Sequence, residues 1–471
     1  MRVLFSYRIC VAVLAGLLLS AHVTSVSGSS SPHRSDSSQK TLIQHASLII
    51  TMDPALGTGP LGSLSDADLL MDGDTIVAIG KGLTDPDATV VIATGKIVLP
   101  GFVDVHNHLY QSIFRGGCTD DDVLGWLDKC NLPVRLGFTE AEIYAAVRLS
   151  TLDLITTGVT TVVDWAHLFP PNLAKANVRA LHESGLRFVF AYSQRKEGLD
   201  TIKAFKAEFI DPNPLGSLQL SGGSTKKSAE HLADIVLLAR ELNVTVNVHL
   251  LEHIKQRQDD PVSVLARSGA LALGPQLLVN HAIHLTDDDI SLLAKSGVRI
   301  AHSPLSNMRL ASGIIRLPDL HNAGIKVGLG LDGGTNDTSD MFANMRAAVG
   351  LQRAKTLDAT IFPTVPDVLR MATLGGAEVL GLEDKIGSLT PGKKADVIIV
   401  NPNAVNFAPR WDWPSQIVFN AQPANVEYVF VNGRMLKDRG RLVEVSEQDV
   451  IAAAEQAANR IRGSLNSTRG R

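Results

Sequence analysis

Cysteine is scarce. The 471-residue chain has three, none of them in a CxxC pair or a Cys/His cluster, so no structural zinc site of that kind is encoded. An excess of charge is missing too. Lys and Arg total 44 against 48 Asp and Glu, a formal net charge of −4, with no long basic run. Nucleic acid and anionic membrane surfaces are therefore poor partners. A comfortable membrane span is also lacking. The apolar stretch ICVAVLAGLLLSA near the amino terminus falls short of the roughly 20 residues that a bilayer-crossing helix needs.

That stretch follows Arg2 and Arg8 and leads through the small residues SVSGSS, the pattern of a cleavable signal peptide. The expectation is a signal over 1–28, a polar linker over 29–40, and an exported protein with no stable membrane span after processing. Cys10 lies in the signal. Cys118 and Cys130 remain, together in GGCTDDDVLGWLDKC. A bond between them in an oxidising compartment, and two free buried thiols, both stand open.

What is present is the composition of a globular chain, 45% hydrophobic with 39 glycines, long enough for a large domain and an accessory one. Short β-like runs (SLIITM, ADLLM, DTIVAIG, ATVVIA, KIVLPG) fill the stretch up to Val98, and the same texture returns after Gly387. Between them, eight strand-like runs alternate with amphipathic stretches: FVDVHNH, TTVVDW, RFVFAY, SLQLSG, VTVNVHL, QLLVNHAIH, VRIAHSP and IKVGLGLDG. This alternation predicts an α/β fold, a (β/α)8 barrel over 99–386. A small β-sandwich assembled from 41–98 and 387–445 accompanies it, with a C-terminal helix and tail over 446–471.

Histidines and carboxylates gather where these runs end. His106 and His108 close the first, and residues i and i+2 of a strand share a face. His249 and Glu252 follow the fifth, His281 lies on the sixth and Asp332 ends the eighth. A buried strand ending in such a group carries a costly polar atom unless a partner satisfies it. Several at one rim of a barrel, where barrel active sites form, point to a metal. His253, His284 and His302 read as structural.

At these residues the chain resembles the amidohydrolase superfamily, particularly its cytosine deaminase, S-adenosylhomocysteine deaminase and triazine hydrolase branches. PGFVDVHNH, VHLLE, NHAIHL, HSPLSNMRLASG, VGLGLDGG and ATLGGAEVLGLEDKIGSLTPGKKADVIIV carry the likeness. The resemblance implies one divalent ion, zinc first and iron second, held by His106, His108, His249 and Asp332. Two-metal relatives use a lysine on strand four, and SLQLSGG has none. The resemblance also implies roles for three residues. Asp332 accepts the proton of the attacking water, Glu252 moves a proton to a substrate ring nitrogen, and His281 orients the hydroxide.

The expected activity is hydrolytic deamination of a free purine-, pterin- or pyrimidine-like ring. The alternatives are a triazine-type amino- or chlorohydrolase or cyclic amidase and, in another class, a binding protein on the same fold. In the first loop Gln111, Arg115 and Trp126 are the candidate substrate contacts. S-adenosylhomocysteine deaminases carry a glutamate after the loop proline and a histidine after strand four; here stand LPVRL, with Arg135, and SGGST. Both departures speak against a nucleoside. The partner is a small heterocycle, and a homo-oligomer is left open.

Overall fold

The computed structural model describes residues 39–135, 137–167, 170–193, 198–224, 228–335 and 338–469. The expected signal and residues 29–38 of the linker lie outside the described residues. Eight parallel strands follow one another in sequence order around a barrel: Phe102–Asn107, Val159–Trp165, Arg187–Tyr192, Gly216–Ser224, Thr245–Leu250, Leu277–His281, Arg299–His302 and Val327–Leu329. All eight expected runs are present. Strands two, three and six are buried at every position, as a parallel sheet covered on both faces requires. Beyond strand eight, the N–H groups of Leu331 and Asp332 both donate to the His106 carbonyl, at 3.0 and 2.9 Å. That return to strand one sets Asp332 beside the two histidines.

The helices between strands begin and end where the sequence supplies caps. Thr139 and Glu142 form a capping box on Glu140–Thr156, as do Thr286 and Asp289 on Asp287–Ser296. The latter helix stops at Gly297, whose φ of 70° suits a residue without a Cβ. A second, nine-stranded mixed sheet draws five strands from Lys40–Pro100 and four from Val397–Leu442. Its own apolar core includes Ile43, Ile49, Leu69, Val397, Ile399 and Phe430. The C-terminal helix Glu447–Arg469 packs on Glu140–Thr156, where Arg460 pairs with Glu142. Among the described residues, no helix is long and apolar enough to cross a membrane.

One buried ion pair ties the sheet to the barrel. Arg187, at the start of strand three, donates from Nε and Nη2 to the two oxygens of Asp396 at 3.0 and 3.1 Å, and Asn432 N–H donates to Asp396 at 2.8 Å. Asp396→Ala leaves a guanidinium buried without its counter-charge, an expected loss of about 3–5 kcal/mol. The double variant Arg187→Met/Asp396→Leu should lose far less. Denaturant unfolding of both checks this. Equal losses would mean that the pair's charges do not govern the joint.

Candidate active site

Six polar side chains meet at the carboxyl-terminal rim of the barrel: His106, His108, His249, Glu252, His281 and Asp332. Donor atoms of His106, His108 and Asp332 lie within 4.8 Å of one another, as do those of His106, His249 and His281 and those of Glu252, His281 and Asp332. His106 Nε2 is 3.3 Å and His108 Nε2 3.4 Å from Asp332 Oδ1. Each orientation has a local cause. His108 Nδ1 lies 2.9 Å from the Trp165 carbonyl, so its hydrogen sits there and the Nε2 lone pair faces the site. His106 is fully buried, and neither of its nitrogens makes a hydrogen bond.

Beneath the rim, buried Asp104 accepts from Leu331 N–H at 2.9 Å and Asn107 Nδ2 at 2.6 Å. Asp164 accepts from Leu109 N–H at 3.1 Å and Asn177 Nδ2 at 2.6 Å. Burial pushes these two carboxyls up to about 7 and about 6. Sequence reasoning passed over both, although Asp104 shares the two-residue period of His106 and His108.

Two site residues sit in the left-handed backbone region, His281 with φ 68° and Asp332 with φ 61°. Such strain persists only where neighbours over-determine it. Ser306 Oγ donates to Asp332 Oδ2 at 2.5 Å. Asn307 Nδ2 lies 3.0 Å from His281 Nδ1, so the amide donates there and His281 carries its hydrogen on Nε2, which is 3.8 Å from Glu252 Oε2. Gly333, with φ 64°, follows Asp332. A Cβ there would stand 2.6 Å from the His108 carbonyl oxygen, so only glycine lets this loop close on the HxH turn.

Burial sets the charges. It lowers the His108 imidazole to about 3 and that of His281 to about 4, with His249 well below its ordinary value. All three are therefore neutral; His108 keeps a lone pair for the site, while that of His281 Nδ1 is taken by Asn307. Burial alone would raise Asp332, but His106 and the other imidazoles reverse this and hold it ionised. Burial, and then the Asp332 charge, raise Glu252 well above the carboxylate range, so Glu252 carries a proton that it can give.

A cavity of about 230 Å³ opens over these groups. Its lid is the first loop, with Val123, Leu124, Trp126 and Leu127 facing inward. Asp122 caps the helical turn Val123–Trp126 and lies 3.3 Å from His253 Nε2, while Arg309 holds the Gly117 carbonyl at 3.1 Å.

Cys118 and Cys130 are bonded across this loop, their Cα atoms 6.3 Å apart. Thiol titration of the unfolded, unreduced chain is expected to find one thiol, Cys10. Cys118→Ser/Cys130→Ser should lose about 3 kcal/mol in the loop-entropy model and should weaken substrate binding. Three titratable thiols would refute the bond.

The candidate contacts divide. Trp126 lines the cavity, its Nε1 buried without a hydrogen-bond partner. Gln111 also lines it, but its Oε1 already accepts from Gly334 N–H at 3.2 Å. Arg115 is corrected: its Nη2 pairs with Asp153 at 2.7 Å on the helix behind the loop, away from the cavity lining. Arg135 and His167 line the cavity instead. His167 was missed although it stands just two residues past the end of the second strand, Val159–Trp165. The rule that found the other histidines, a polar residue just past an apolar strand, would have found it.

A profile described as Amidohydrolase family matches residues 97–436. A 5'-deoxyadenosine deaminase of Methanobrevibacter smithii is 33% identical over 84% of this chain and 93% of its own. A 5-methylthioadenosine/S-adenosylhomocysteine deaminase of Pelotomaculum thermopropionicum is 32% identical over 89% and 98%. Among solved structures, an adenosine deaminase from Xanthomonas campestris with bound zinc superposes with a TM-score of 0.82 at 26% identity, over 90% of this chain and 99% of that one. These relatives overturn the expectation of export. Deaminases named for adenosine-type nucleosides do not fit an exported protein, and residues 1–28, on which the expectation rested, lie outside the described residues.

Proposed function

The chain belongs to the amidohydrolase family, and from that premise we propose that it is a hydrolase of carbon–nitrogen bonds that deaminates an aminated purine-, pterin- or pyrimidine-like ring. One observation carries the reading: three imidazoles, one carboxylate and one protonated carboxyl converge under a single cavity. The donors are His106, His108, His249 and Asp332. They fit a divalent ion, because His106 has both nitrogens buried and unbonded while His108 turns a lone pair inward. Mixed imidazole and carboxylate donors favour zinc. An ion held there acidifies bound water to near neutrality.

The rest is the work of the chain. Asp332, ionised and held by Ser306, accepts a proton from the attacking water. Glu252 gives its proton to a ring nitrogen beside the carbon under attack, which makes that carbon electrophilic, and takes back the hydroxyl proton of the adduct as Asp332 passes the proton gained from water to the departing amine. His281 donates from Nε2, fixed by Asn307, toward the developing oxyanion. Trp126 and the apolar lid exclude bulk water. The relatives' names and this proton inventory both favour amine over halide as the leaving group. Ammonia release across aminated purines, pterins and pyrimidines, on protein of measured metal content, tests the reading. No release from any of them by metal-loaded protein would reject it.

A further inference from the structure

The cavity wall beside strands one and two is made of hydrogen-bond donors. His167 Nδ1 lies 2.9 Å from Tyr110 Oη. Asn131 Nδ2 reaches the same oxygen at 2.9 Å, and Gln111 Nε2 at 3.4 Å. Amide nitrogens only donate, so the phenol oxygen accepts from them and its single hydrogen goes to His167 Nδ1. His167 therefore carries its own hydrogen on Nε2, at the cavity. Arg135 ends the helical turn Leu132–Arg135, just after Asn131, and lines the same cavity half-buried. Among the described residues no carboxylate pairs with it.

Such a wall discriminates. A ribose diol is held most strongly by a carboxylate, and the only carboxylates among the described residues lining the cavity are Glu252 and Asp332, both occupied by the chemistry; the other side-chain acceptors there are neutral hydroxyls and amides. An imidazole N–H and a guanidinium are instead complementary to an oxygen bearing negative charge.

We propose that Arg135 and His167 form an oxygen-binding wall, and that the substrate is an aminated heterocycle with an oxo or carboxylate oxygen on the edge facing them. Tyr110 and Asn131 are positioning residues that fix the His167 tautomer. This rests on the deaminase reading above and narrows its substrate class.

The test is equilibrium binding to zinc-loaded, full-length Glu252→Gln protein, which should not consume the ligands. Guanine is compared with 2-aminopurine, which lacks the oxo group. Pterin and pterin-6-carboxylate are compared with 2-aminopteridine, and 5'-deoxyadenosine represents the nucleosides. The oxygen that meets the wall should tighten binding by about 10–100-fold, the range of a charged hydrogen bond. The purine pair and pterin read the oxo group; pterin-6-carboxylate against pterin reads the carboxylate.

Adding Arg135→Gln or His167→Phe should abolish that gain and leave 2-aminopurine affinity within about threefold, which also shows that the variants are folded. Tyr110→Phe should remove part of it. Equal affinity with and without the oxygen, a gain that survives both substitutions, or tightest binding of 5'-deoxyadenosine overturns the wall. Ammonia release by wild-type protein is read separately. Release without an oxygen gain sinks the wall alone; an oxygen gain without release sinks the deaminase reading and keeps the wall.

Discussion

His106→Ala protein, purified without chelators, should contain less than about a tenth of an ion per chain, against about one for the wild type. His106 is the hub of the cluster. Its donor atoms lie within reach of Asp332 and His108 on one side and of His249 and His281 on the other, and burial keeps both its nitrogens from water, with no group near them outside the cluster to satisfy them. Removing it leaves the remaining donors too few and too widely spread to outcompete water. Ammonia release should fall to background with the metal. His249→Ala should behave alike, because it removes the one donor supplied by strand five. A second readout is independent of turnover: added zinc should raise the melting temperature of chelator-stripped wild type by mass action on the folded state, and should leave that of His106→Ala unmoved. A wild type that holds no transition metal, and is neither stabilised nor activated by added zinc, would end this account of the site.

The cluster was legible in the sequence because strand periodicity and burial leave little choice. A histidine at the end of an apolar run must point somewhere polar, and a barrel gathers all such ends at one rim. The eight strands were legible for the same reason. Loop residues were not. Arg115 and Arg135 are both arginines of one loop, and only the packing of that loop decides that the first turns to Asp153 while the second faces the cavity. The tautomer of His167 depends on Tyr110 and Asn131, residues 57 positions back and 21 further along from Tyr110, and no local pattern links them. The paired cysteines lay between these cases: nearness in sequence made a bond feasible, and the fold of the loop decided it.

Glu252→Gln should keep its ion and lose about 10²–10⁴-fold in kcat, the usual contribution of a positioned proton donor. That loss corresponds to about 3–5 kcal/mol of transition-state stabilisation. The substitution is chosen because of the protonation state. Burial and the Asp332 charge keep Glu252 protonated, and an amide matches a neutral carboxyl in shape and polarity but holds no proton that it can release. Substrate binding should therefore change little, and metal content not at all, since Glu252 is not one of the four proposed ligands. The contrast with His106→Ala is the informative part, because one variant loses the ion and the other keeps it. His281→Gln should lie between the two, keeping the ion and part of the rate, because its Nε2–H can be replaced by an amide donor while Asn307 remains to orient it. Undiminished kcat in Glu252→Gln would show that ring protonation comes from elsewhere, and a fall in metal content would make Glu252 a ligand instead of a proton donor.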